Sequence, residues 1–215
     1  MSVPRICRLA LALAVVTLAP ASAAPLLDEG KLEPAWFGGD REFHSTDDID
    51  YLWVKPGFAL AGQKIHFAAW EEPQFKGEKA SERDTKDKRQ ANDLTGNMPE
   101  IFSEAFQNGL AGKVTVVKSG GDLKVVGRIV DCSGGSTAAK FWVGMGAGSG
   151  NTTFDLKFLD AKSGELVAAL HHRVVSGTNL STTDSMFVKW VDEFAERISK
   201  KSLDQLYNSG KRAKN

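Results

Sequence analysis

Few residue types in this chain could do chemistry, and they are scattered. The run "VGMGAGSGNTT", residues 143–153, places Gly144, Gly146, Gly148 and Gly150 at alternate positions. A phosphate-cradling loop needs G-x-x-x-x-G-K-[ST], so that backbone N–H groups surround the phosphates and a lysine reaches them. Counted from Gly144, position 149 is Ser and no Gly-Lys pair follows. The dinucleotide fingerprint G-x-G-x-x-G fails at the same residue. Both motifs also open a helix, whereas "NTTFDLKFLD" alternates like a strand. A spacing of two puts the missing side chains on one face of an extended segment. These four are therefore read as structural glycines that admit a neighbouring backbone or a bend.

The other candidates are equally bare of partners. His171 and His172 are adjacent, and neighbours on a strand point to opposite faces, so no shared metal ion is expected. His44 and His66 lie far away in sequence. Cys132, in "IVDCSGGS", would need a nearby base and oxyanion donors to act as a nucleophile. It reads more simply as a small hydrophobe where a strand enters a turn. Asp47, Asp48 and Asp50 lack the spacing and glycine of a calcium loop. No G-x-S-x-G, S-x-x-K or H-E-x-x-H occurs, so neither catalysis nor a cofactor is expected. Trp53, Trp70, Trp142 and Trp190 are the candidate binding residues, able to line a cleft for a small apolar or carbohydrate ligand. Core or seam packing is the alternative for all four.

These residues need elements to position them. Residues 1–23 carry Arg5 and Arg8, an apolar run from Leu9 to Pro20 and the small-residue pattern Ala21-Ser-Ala23, which reads as a signal peptide cleaved after Ala23. The run is shorter than the roughly 20 apolar residues a membrane span requires. With the leader removed, the charged residues change from 27 basic and 27 acidic to 25 and 27, a net −2. That balance offers nothing broad to a nucleic acid. Cys7 leaves with the leader, so Cys132 has no intramolecular disulfide partner, and no lipid-bearing cysteine stands at the cleavage point. The expected location is periplasmic or secreted.

Residues 24–50 are read as an N-terminal arm tacked down by Trp36 and Phe37, residues 51–208 as a single domain, and 209–215 as a basic tail. Strands are predicted at 51–58, 64–70, 113–118, 123–130, 152–159 and 165–175. Within 152–159, Thr152, Phe154, Leu156 and Phe158 face one way and Thr153, Asp155 and Lys157 the other, as in a sheet covered on one face. Leu94, Met98, Ile101, Phe102, Ala105 and Leu110 share one face of a helix. Asn97-Met-Pro-Glu100 offers that helix a start, and one longer helix from near residue 82 is the alternative. A second helix, capped by Asp184, carries Phe187, Val191, Phe194 and Ile198. The fold class is α+β: one mixed or mainly antiparallel sheet of five to six strands, with two amphipathic helices on one face.

The stretch "VVGRIVDCSGGSTAAKFWVGMGAGSGNTTFDLKFLDAKSGELVAAL", residues 125–170, resembles a bacterial exported-protein family, domain of unknown function 4410, whose members are often lipoproteins. "YLWVKPGF", "KIHFAAW" and "KVTVVK" look like that family's first half, so the resemblance spans residues 50–200. It implies an envelope location, a non-enzymatic or undetermined role, and no catalytic residues. This chain departs from the lipoprotein members in lacking their lipid-bearing cysteine. The expected role is an interaction or accessory module that binds an envelope protein or component through a sheet edge or an aromatic surface.

Overall fold

The computed structural model describes residues 30–135, 150–175 and 183–213. In chain order the strands are β1 (His44–Ser45), β2 (Tyr51–Val54), β3 (Lys64–Phe67), β4 (Thr115–Val116), β5 (Leu123–Ser133), β6 (Asn151–Asp160), β7 (Leu166–Val175) and β8 (Lys211–Arg212). The helices are α1 (Thr85–Gly109), α2 (Thr183–Lys200) and α3 (Leu203–Ser209). All eight strands join one sheet in the order β4-β3-β5-β6-β7-β2-β1-β8. It is mixed: β3 runs parallel to β4 and β5, and the other pairs are antiparallel.

The α+β class agrees with the sequence reading, but two strands and one helix go beyond it. β1 and β8 have two residues each, too few to show a period, and they pair His44 with Arg212 and Ser45 with Lys211. The basic tail thus begins as an edge strand. α3 follows α2 after a break of two residues and buries Leu203 and Leu206.

α1 adopts the longer of the two expected forms. Asp84 accepts from the Asp87 N–H (2.8 Å) and the Asp87 carboxylate accepts from the Asp84 N–H (3.3 Å), a reciprocal cap that starts the helix well before Asn97. Pro99 is therefore interior, and Ser103 donates its hydroxyl to the Pro99 carbonyl at 2.6 Å. Ala91, Leu94, Met98, Phe102, Ala105 and Phe106 form the buried stripe. Gly109 is the point where α1 crosses α2, since a Cβ there would stand 2.9 Å from the Ala195 backbone.

The expectation of a sheet covered on one face is corrected. The three described helices share a core with one face of the sheet, built around Phe102, Phe106, Phe154, Phe158, Phe187 and Phe194. The arm closes the opposite face, where Phe37 and Phe43 pack on Tyr51, Leu166 and Ala169. Residues 151–156 of β6 are consequently buried on both sides. Polar residues such as Asp155 are inside for that reason, although alternation alone would put them in water.

Candidate binding site

On the face under the arm, one row of the sheet is polar. Register aligns Arg128 of β5 with Asp155 of β6, Asp155 with His171 of β7, and His171 with Tyr51 of β2. Asp155 accepts from Arg128 Nε at 2.8 Å and contacts His171 Nδ1 at 2.6 Å. The Arg128 side chain is 1% exposed and directs its remaining nitrogens to Gln74 (2.9 Å) and Glu33 (3.0 Å). One guanidinium therefore ties together β5, β6, the segment beside β5 and the arm. Trp36 caps it, with the Arg128 guanidinium carbon 4.6 Å and Lys157 Nζ 3.8 Å from the indole ring. The Trp36 N–H donates to both carboxylate oxygens of Glu71 at 3.0 and 3.2 Å. Burial pushes the Glu33 carboxyl up, but Lys76 and Arg128 outweigh it and hold the group below its usual range. Burial lowers Lys157 against the opposing pull of Glu71.

The row's other face supplies a second arrangement, around His172. Its ring stacks on Trp190 of α2 (centroids 4.4 Å apart), and Trp190 in turn lies parallel to Phe194 at 5.2 Å. Asp50 Oδ2 is 3.0 Å from His172 Nδ1 and also accepts the Arg173 N–H at 2.9 Å. Burial pushes Asp50 up, yet the His172 contacts and that N–H hold it below the carboxylate range. Thr46 shapes the turn before it, its hydroxyl accepting from the Asp48 and Ile49 N–H groups at 3.2 and 2.9 Å. Asp48 reaches Arg197 of α2 at 2.9 Å.

Between this turn and α2 opens a cavity of about 210 Å³, lined by Asp47 and Asp48 of the turn, by His172, and by Trp190, Glu193, Phe194 and Arg197 of α2. A neighbouring cavity of about 240 Å³ shares Asp47 and Asp48 and continues along α3 to Lys201 and Lys211.

The described tryptophans do not meet. Trp70 is in the helix-side core, where Gly127 makes room for it: a Cβ at Gly127 would lie 2.6 Å from the indole. Trp53 is half-buried on the arm side beneath Arg41, whose guanidinium carbon is 4.7 Å from the ring centroid. Among the described tryptophans Trp190 lines the His172 cavity. Trp142, Gly144, Gly146 and Gly148 lie outside the described residues, while Gly150 is buried immediately before β6. His171 and His172 turn to opposite faces and serve the two separate clusters. Cys132 is buried beside Thr152 (3.7 Å), and burial pushes its thiol up to about 12.

Sequence reasoning missed Arg128, Asp155 and Glu193, and it weighed Asp50 only as part of an acidic cluster. Arg128 and Asp155 had one available signal, charges inside otherwise apolar alternating strands. Glu193 had none, and nothing tied it to the acidic cluster at Asp50, because the turn and α2 come together only through the fold.

No helix among the described residues is long and apolar enough to cross a membrane. A family model described as Domain of unknown function (DUF4410) matches residues 71–178. That span contains α1 and β4 to β7, and so Arg128, Asp155, His171 and His172. No curated protein matches the sequence. Among solved structures, the chain is similar to the PelC dodecamer from Paraburkholderia phytofirmans at 12% identity and a TM-score of 0.46, over 67% of this chain and 94% of that one. It is similar to a Xanthomonas campestris protein of family model DUF330 at 12% identity and TM-score 0.41, over 71% and 90% of the two chains. Lipoprotein GNA1162 from Neisseria meningitidis is similar at 11% identity and TM-score 0.29, over 64% and 99%.

Proposed function

The chain belongs to the DUF4410 family, and from that premise we propose that it is a non-catalytic, exported interaction or accessory module of the envelope, periplasmic or secreted. The observation carrying this reading is where the reactive side chains are used. Arg128, Asp155 and His171 bind strands and arm to one another, and the Cys132 thiol is held protonated in the core. The His172–Trp190 cavity, by contrast, is open and combines aromatic walls with charged groups, the composition of a recognition surface.

The sheet edges are less suited to that role. β4 and β8 have two residues each; Gln107 accepts the Val116 N–H at 3.3 Å, and β8 presents exposed Lys211 and Arg212. Short, charged or capped edges discourage added strands. Recognition through the aromatic surface is therefore favoured over strand addition.

Affinity capture from envelope extracts tests the module, with an unrelated exported protein of similar size as control. Recovery of one component above that control is expected, and recovery of none sinks the reading. Mass measurement of the exported protein tests the leader: the expected mature chain begins at Ala24. A second reading, a small apolar ligand, is favoured by a cavity of about 290 Å³ lined by Leu60, Leu110, Val114 and Ile198, which none of the described tryptophans lines. Saturable uptake of a hydrophobic dye, blocked by Leu60→Trp, would support it.

A further inference from the structure

The cavity at His172 has a sign and a hydrogen-bonding polarity, and together they select a ligand. Three of its walls are carboxylates, Asp47, Asp48 and Glu193, against one guanidinium, Arg197, which already lies on Asp48 at 2.9 Å. Asp47 has no ionic or hydrogen-bond partner among the described residues. Glu193 meets only Lys189, at 3.7 Å on the exposed side of α2, a kind of pair that contributes little. The local excess is therefore negative and available.

His172 supplies the second element. It is 9% exposed and lines the cavity. Two groups approach its Nδ1: the Asp50 carboxylate at 3.0 Å and the Asp50 backbone N–H at 3.3 Å. The carboxylate contact is shorter and charge-assisted, so it places the proton on Nδ1. Nε2 then offers a lone pair, and no described residue donates to it. An acceptor that opens into a cavity beside carboxylates suits a cationic donor. Trp190 and Phe194 add an apolar wall along which the stem of a long basic side chain can lie.

The neighbouring cavity supplies the third. It extends the groove from Asp47 and Asp48 to Lys201 and Lys211, so its far end carries the opposite sign. A free amine fills only the first cavity, whereas an extended segment with a basic and then an acidic residue matches both. Resting on the interaction reading above, we infer that this groove binds an extended partner segment whose arginine or lysine side chain enters the His172–Trp190 cavity, its N–H groups donated to His172 Nε2 and the carboxylates.

The experiment is titration of the isotopically labelled full chain, followed by NMR at the His172 ring and the Trp190 indole, with methylguanidinium, tetramethylammonium, acetate and the capped peptide Ala-Arg-Ala-Glu-Ala. Methylguanidinium should give saturable shifts at both residues. Tetramethylammonium, an equal charge without N–H groups, should bind at least about ten-fold more weakly, the weight of a hydrogen bond to a charged group. The peptide should bind at least about ten-fold more tightly than methylguanidinium, because it occupies both cavities. His172→Phe keeps the stack on Trp190 but removes Nε2 and should weaken the peptide by a similar factor. Glu193→Gln, on the exposed surface and harmless to folding, should weaken it a few-fold.

Absence of saturation by methylguanidinium, equal binding of tetramethylammonium, or competition by acetate overturns the site. Equal affinity for methylguanidinium and peptide overturns the partner segment and leaves a small-amine site. An envelope partner still captured by His172→Phe leaves the module standing and removes this groove from it. Saturable methylguanidinium binding with no partner captured does the reverse.

Discussion

Arg128 and Asp155 face each other in register across β5 and β6, Nε to Oδ2 at 2.8 Å, with both side chains 1% exposed or less. A buried pair of this kind is an organiser more than a source of net stability, because desolvation offsets much of the attraction. Its members also reach His171 and Glu33, so it fixes how β7 and the arm sit on the sheet.

Removing one partner should therefore be costly. Arg128→Met leaves Asp155 charged and buried, and urea unfolding should show a loss of about 3–5 kcal/mol. Arg128→Met combined with Asp155→Leu should recover a substantial part of it. Equal losses in single and double variants would show that the charges are not coupled.

Gly127→Ala should destabilise without any backbone strain, since the added Cβ meets the Trp70 ring at 2.6 Å and Leu156 at 2.8 Å. Overpacking of this kind costs about 1–3 kcal/mol. The check is a thermal melt together with near-ultraviolet dichroism, where the Trp70 signal should change.

The Cys132 thiol should resist iodoacetamide in the native protein at pH 8 and react after unfolding. Its folded pKa is pushed up to about 12 by burial, so almost no thiolate forms and solvent does not reach it. Labelling of the folded chain at the rate of a free thiol would contradict this.

Acid should loosen the start of the arm. Glu33 is held below its ordinary value by Lys76 and Arg128, so its stabilising contribution is complete above the unfolded-state value of about 4.3 and is lost as pH falls through the lowered folded value. Phe37 and Phe43 remain anchored by apolar burial, worth about 1.5–3 kcal/mol each. Trp36 fluorescence, obtained as the difference from Trp36→Phe, should thus change as the pH falls below the ordinary glutamate range, before global unfolding. Glu33→Gln should show the changed signal at neutral pH.

The reading of element types came largely from local patterns. The alternation in "TTFDLKFL" and the helical stripe from Leu94 to Leu110 each record which side chains face the helix-side core, and a single segment carries that record. The start of α1 was ambiguous because two caps were available. The Asp84–Asp87 exchange prevailed, and Pro99 was tolerated inside the turn. β1 and β8 were illegible, since two residues have no period.

The family was legible too, from the turn and glycine order between residues 125 and 170, and the match over residues 71–178 agrees with it. The site was not. Trp190 stood out as a residue type, but nothing local joined it to His172, and Asp50 with the Asp47–Asp48 turn lies more than a hundred residues from both along the chain.

By itself, then, the sequence determined the α+β class, the amphipathic elements and the turns, because hydrophobic period and cap chemistry act over a few residues. Only the tertiary structure decided that the arm would roof the second face of the sheet, turning Asp155 and Arg128 inward. It alone decided that His172 would open onto a cavity of carboxylates and aromatic rings. Those outcomes depend on burial and charge pairing between distant segments, which exist only once the chain has closed on itself.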